Sequence, residues 1–231
     1  MELLQSYPYL MSGLAGLLIL GILARLGPVS VRRFALAGAA MALPCAFQTW
    51  LDAPAYWTPV RWFTLKGVGL EDVLCAYTLP GLACLLAAWP LSRTLGPPRP
   101  WSERPRRYLV IVAAGLGSRL ILHALAVPVG AALVGSTAIL AAVMLILQPA
   151  RWPLAVAGAF LFTPFYFLLV KAVFLLAPGY PGQWNQAALW GPAPGGVPAE
   201  EWLWSLGLGI AWPLATAYVC QDQTSPRKEA A

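Results

Sequence analysis

The chain has 231 residues, 59% of them hydrophobic and 10% charged. A soluble domain carries about a quarter of its residues as charged side chains, so this chain lacks the polarity to cover a water-facing surface. Its apolar residues form continuous runs of about 20, the length of a bilayer-crossing helix. The alternating pattern of a membrane β-barrel is absent from them.

Seven spans are expected, at residues 7–26, 31–51, 71–91, 108–126, 128–147, 152–177 and 199–219. The first has no basic leader and is long enough to be a span rather than a cleavable signal. A loop rich in Trp and Pro, Asp52 to Leu70, separates the second and third. A basic connector, Ser92 to Arg107, follows the third, and its prolines are expected to keep it out of a helix. Val127-Pro128 gives a tight turn between the fourth and fifth spans. A Gly- and Pro-rich loop, Pro178 to Pro198, leads into the seventh, and the polar tail from Gln221 is expected to be disordered. The fold class expected is all-α and polytopic, with no strands.

The net charge of +6 does not indicate a nucleic-acid partner. Arg25, Arg32, Arg33, Arg93, Arg99, Arg104, Arg106, Arg107, Arg151, Arg227 and Lys228 fall on one side of the seven-span topology, against Arg61 and Lys66 on the other. The basic side is therefore expected in the cytoplasm and the N-terminus outside, in a bacterial inner membrane. Cys45, Cys75, Cys84 and Cys220 lie within or at the end of apolar runs, without metal or disulfide spacing, and read as small core residues.

Acidic residues are scarce, and their placement is the main functional signal. Of nine in the chain, Glu71 and Asp72 open the third span, and Glu200 and Glu201 open the seventh. Each pair follows two apolar spans and an aromatic, Gly-containing loop. This suggests two parallel three-helix repeats: residues 1–92 and 128–220, with 93–127 as the connector and linking span and 221–231 as the tail. A shift of four spans keeps the orientation, so both pairs are expected at the same depth and facing one cavity. Neighbouring helix residues point about 100° apart, so one acid of each pair can face that cavity while the other faces a loop. Acids in a first helical turn also complement the helix dipole. Paired charges beside a membrane core, however, are costly and usually functional.

The motif Pro198-Ala199-Glu200-Glu201 resembles the Pro-x-Glu-Glu/Asp signature of the integral-membrane lycopene cyclases, a family built from two copies of a three-helix domain. The octad Gly67 to Leu74 is similar to the first copy of that motif, with Gly69 where the family usually has Pro. Asp52 before a Trp-rich loop also resembles the approach to that first motif. The resemblance implies a redox-neutral cyclisation of an isoprenoid such as lycopene. An acid protonates a terminal double bond, an internal alkene closes a six-membered ring on the cation, and a base removes a proton. Glu71, Asp72, Glu200 and Glu201 are the catalytic candidates, with one of Glu71 and Glu200 expected protonated and the other ionised. The hydrocarbon substrate would enter from lipid.

Aromatic faces stabilise cations. Trp50, Tyr56, Trp57, Trp62, Trp184, Trp190, Trp202 and Trp204 are expected near the acidic side, where most would form an interfacial belt. Trp57 and Trp202 are the candidates for lining the site. Arg119 and His123, four residues apart on the fourth span, and Lys171 on the sixth are candidate partners of the acids. Seven spans and an intramembrane lysine suggest retinal, but the last span offers no lysine. No dinucleotide, Walker or Asp-rich diphosphate motif and no metal spacing is present, so no cofactor or metal is expected. The alternative function is a proton- or cation-coupled carrier with the acids as ion sites. A carrier needs a polar route to both faces, and a cyclase needs an apolar cavity open to lipid.

Overall fold

A computed structural model describes residues 6–48, 55–191 and 194–222. Among the described residues, seven helices are long and apolar enough to cross a bilayer: α1 (Pro8–Leu26), α2 (Val29–Gln48), α3 (Leu70–Ala88), α4 (Trp101–Ala124), α5 (Val129–Leu147), α6 (Pro149–Leu176) and α7 (Ala199–Cys220). All seven expected spans are present.

Proline position explains four of the seven helix starts. Pro28, Pro128 and Pro198 occupy the N-cap positions of α2, α5 and α7. Pro105 sits in the first turn of the α-helical part of α4, where a missing N–H sacrifices no helical bond. The connector is therefore shorter than expected, because helix begins before Arg107. In α2 the last turns, Leu43–Gln48, tighten to a 3-10 helix that includes Pro44. In α4 the segment Ala113–Gly117 widens into a π-turn. It contains two glycines, and the Ser118 hydroxyl donates to the Ala114 and Gly115 carbonyls.

One small hairpin departs from the expected all-helical pattern. Strand β1 (Thr64–Leu65) pairs antiparallel with β2 (Val68–Gly69). Lys66 and Gly67 between them both have positive φ, the backbone of a tight hairpin turn. The hairpin folds Arg61 and Trp62 back over the start of α3.

Helix α3 packs against α1 and α2, and α7 packs against α5 and α6. These two central helices also pack on one another and on α6, and α3 and α7 are the most buried of the seven. Small residues permit the close approach. A side chain on Gly158 of α6 would collide with the backbone carbonyl of Gly209 on α7. Gly38 of α2 is covered by Cys84 of α3 and Thr216 of α7.

Both ends of the bundle are tied across its halves. At the acidic end, the Thr58 N–H donates to the Gln183 carbonyl at 2.8 Å and the Asn185 N–H to the Tyr56 carbonyl at 2.9 Å. Trp57 and Trp184 thereby sit in a short antiparallel bridge. At the basic end, the Arg99 N–H donates to the Cys220 carbonyl and the Asp222 N–H to the Pro97 carbonyl. The Arg99 guanidinium pairs with Glu103 and Asp222, and Arg151 donates to the Gln221 side chain at 2.6 Å. Gln221 and Asp222 are thus held, contrary to the expectation for the tail. Residues 223–231 lie outside the described residues.

Candidate active site

A cavity of about 420 Å³ lies inside the bundle and is lined by all seven helices. Its lining on α7 runs from Glu201 to Trp212, about 16 Å along the axis at 1.5 Å per residue. Most of the lining is apolar or aromatic, and its two carboxylates are at the acidic end. These are Asp72 of α3 and Glu201 of α7.

Both pairs of acids are buried, and each divides its two members in the same way. Glu71 and Glu200 turn away from the cavity toward the preceding loop. Glu71 Oε1 accepts the Trp62 backbone N–H at 2.6 Å, and Glu200 Oε1 accepts the Trp190 backbone N–H at 2.6 Å. Their second oxygens are buried and have no hydrogen-bond partner among the described residues. The expected split between Glu71 and Glu200 across a shared cavity is therefore not the arrangement found. The helical rotation of about 100° per residue hands the cavity-facing position to Asp72 and Glu201.

The two cavity acids have different surroundings. Asp72 accepts four bonds: from the Gly69 N–H at 2.7 Å, the Tyr9 hydroxyl at 3.0 Å, and the Arg61 guanidinium at 2.9 and 3.4 Å. Glu201 has only uncharged neighbours at hydrogen-bond distance. The Tyr56 hydroxyl and the Trp184 Nε1 each donate to its Oε1 at 3.1 Å. The Tyr166 hydroxyl lies 2.6 Å from its Oε2. Burial, with the Glu201 carboxyl beside it, pushes the Tyr56 phenol up, which keeps it a donor.

Aromatic rings join the two acids. Tyr9, which bonds Asp72, meets Trp57 edge-on at 4.4 Å between ring centres. Trp57 stacks on Trp184 at 5.8 Å, and Trp184 bonds Glu201. Tyr166 and Trp204 add a second aromatic wall below Glu201. Trp57 and Trp184 are thus part of the cavity. Trp62 and Trp190 are exposed, as residues of an interfacial belt would be.

The other sequence candidates lie elsewhere. Trp202 is not in the lining. It is one residue on from Glu201, faces another side of α7, and packs on Phe167 at 4.2 Å. Arg119 is buried and donates to the Val129 carbonyl at 3.0 Å, across the α4–α5 turn, while His123 is exposed. Lys171 donates to the Gly195 carbonyl at 2.6 Å and steadies the loop before α7. Asp52 and Trp50 lie outside the described residues.

Tyr9, Arg61 and Tyr166 are site residues that the sequence reading did not single out. Each carried a signal. Arg61 is one of two cations on the otherwise acid-bearing side, and a tyrosine buried in an apolar span needs a partner for its hydroxyl.

Residues 131–219, which extend from α5 to the last turn of α7, match the family model described as lycopene cyclase. No curated protein and no solved structure matches the chain. The matched segment contains Glu200, Glu201, Tyr166 and Trp184, and over this part of its length the chain is similar to the lycopene cyclase family.

Proposed function

We propose that this protein is a membrane-embedded carotenoid cyclase that closes a ring at the end of a linear polyene without redox change. The observation that carries the reading is the convergence of Asp72 and Glu201, from two different helices, on one apolar and aromatic cavity. Acid-initiated cyclisation needs one group that gives a proton and one that takes it. It also needs walls that tolerate a tertiary cation and keep water from capturing it. Trp57, Trp184, Tyr166 and Trp204 supply such walls.

The cavity also suits a substrate that arrives from lipid. Its lining includes Pro44 and Phe47, exposed on the 3-10 end of α2, and the half-buried Gly115 and Leu116 in the π-turn of α4. Toward the basic end it is walled by Ile111, Leu140, Leu208, Ala211 and Trp212, and by Tyr108, whose hydroxyl is engaged by the Met41 carbonyl. This apolar floor disfavours the carrier reading, which requires polar groups to continue toward that face.

The test is expression in a bacterium that accumulates lycopene, with extracts resolved by chromatography and mass spectrometry. The expected product has the mass of the substrate and one or two cyclic ends. Asp72→Asn and Glu201→Gln should each lower its yield by about a hundredfold or more. Unchanged yield in both variants would refute the carboxylate mechanism.

A further inference from the structure

Gly69 and Arg61 give the two cavity acids different surroundings. Gly69 stands where the second motif has Pro198. Its N–H donates to Asp72 Oδ2 at 2.7 Å, a bond that proline lacks. Its missing side chain also leaves room: a Cβ there would lie 2.6 Å from Glu71 Oε2 and 2.7 Å from Arg61 Cδ. Arg61 uses that room to reach Asp72, and its side chain is 13% exposed, against 0% for that of Asp72.

A guanidinium and a backbone N–H both favour a carboxylate in its charged form. The groups facing Asp72 are Tyr9, Arg61 and Cys75, with Glu71 beside it. Those facing Glu201 are Tyr56, Tyr166, Tyr180 and Trp184, with Glu200 beside it, and no described cation lies within ion-pair distance. Glu201 Oε1 already accepts two bonds, one from an indole N–H that can only donate. Oε2 faces a hydroxyl that can equally accept, so a proton on Oε2 has a place to point.

We propose that Glu201 is the proton donor and Asp72 the proton acceptor, with Arg61, seated over Gly69, as the positioning residue that sets this direction. The assignment rests on the cyclase reading. In the step, the Glu201 O–H bond breaks and a C–H bond forms at the terminal alkene carbon, leaving a tertiary cation. An internal alkene supplies its electron pair to form the ring C–C bond. Asp72 then takes a proton from a ring carbon beside the new cation, and the C–H electrons become the ring double bond. Substrate and product are isomers. Glu201 is left one proton short and Asp72 one proton richer, and exchange with water restores both.

The test pairs cyclase assays with infrared difference spectroscopy of the purified full-length protein in lipid nanodiscs. At neutral pH, a protonated-carboxyl stretch should disappear in Glu201→Gln and persist in Asp72→Asn. Arg61→Gln should add a second such stretch and lower the rate of cyclisation. Arg61→Lys should restore both readouts toward wild type, which a merely structural role for Arg61 would not require. Loss of the stretch in Asp72→Asn but not in Glu201→Gln would reverse the roles. An unchanged stretch in both variants would refute the proposal. If no polyene is cyclised while the spectra behave as expected, the cyclase reading fails and the unequal protonation of the two acids stands.

Discussion

Glu71 and Glu200 show how adjacent acids come to serve different ends. Each accepts one loop N–H and is sealed from the cavity. Glu71→Gln and Glu200→Gln should therefore keep measurable cyclisation while each lowers stability by about 1–3 kcal/mol, the cost of leaving a buried polar group without its partner. Thermal unfolding together with product yield checks this, and loss of product without loss of stability would contradict it. Tyr56 makes a pH-dependent prediction. Its phenol is pushed up by burial and by Glu201, so the neutral O–H persists to higher pH than in a free tyrosine. Tyr56→Phe should lower activity without removing an alkaline limb from the pH profile, and disappearance of such a limb would show that Tyr56 titrates in the working range. At this scale the sequence revealed the acids by their scarcity. It did not reveal which acid of each pair turns inward, because that depends on where each helix starts relative to its neighbours.

At the scale of elements, helix packing relies on missing side chains. Gly158 and Gly209 bring the backbones of α6 and α7 into direct contact, and α6 and α7 carry Tyr166 and Glu201. Gly158→Leu should separate these helices, cost about 1–3 kcal/mol or more as an overpacked interface does, and weaken the Tyr166–Glu201 bond. The comparison is with Gly179→Ala, whose side chain would meet nothing within 4 Å. A Gly158→Leu variant as stable and active as the Gly179→Ala variant would contradict the packing argument. The spans themselves were legible because a run of about 20 apolar residues has few stable alternatives in a bilayer. The π-turn of α4, the 3-10 end of α2 and the Lys66-Gly67 hairpin were not legible. Each is a local adjustment that apolar patterning does not record.

At the scale of the molecule, two ties hold the halves together. One joins the aromatic loops through Trp57 and Trp184, and the other joins the connector to the end of α7 through Arg99. Arg99→Ala would strip the buried Gln221 carbonyl of its side-chain donor and remove two ion pairs, and should cost about 1–3 kcal/mol. Unfolding in lipid or mild detergent measures that cost. Fusing reporters active on only one side of the membrane tests the orientation, with the C-terminus expected in the cytoplasm on the Lys and Arg count. A C-terminal reporter active only outside would overturn it.

The sequence by itself determined a polytopic helical protein, the position of seven spans, and two acidic pairs at matching ends of the third and seventh. These follow from composition, length and charge, which act along the chain. Only the tertiary structure decided that Asp72 and Glu201 share the cavity, that Trp57 and Trp184 roof it, and that Trp202, Arg119, His123 and Lys171 serve elsewhere. The reason is rotational and long-range. A difference of one residue turns a side chain by about 100°, and Arg61, 11 residues before Asp72 in the chain, meets it beside Gly69, where a Cβ would lie 2.7 Å from the Arg61 Cδ.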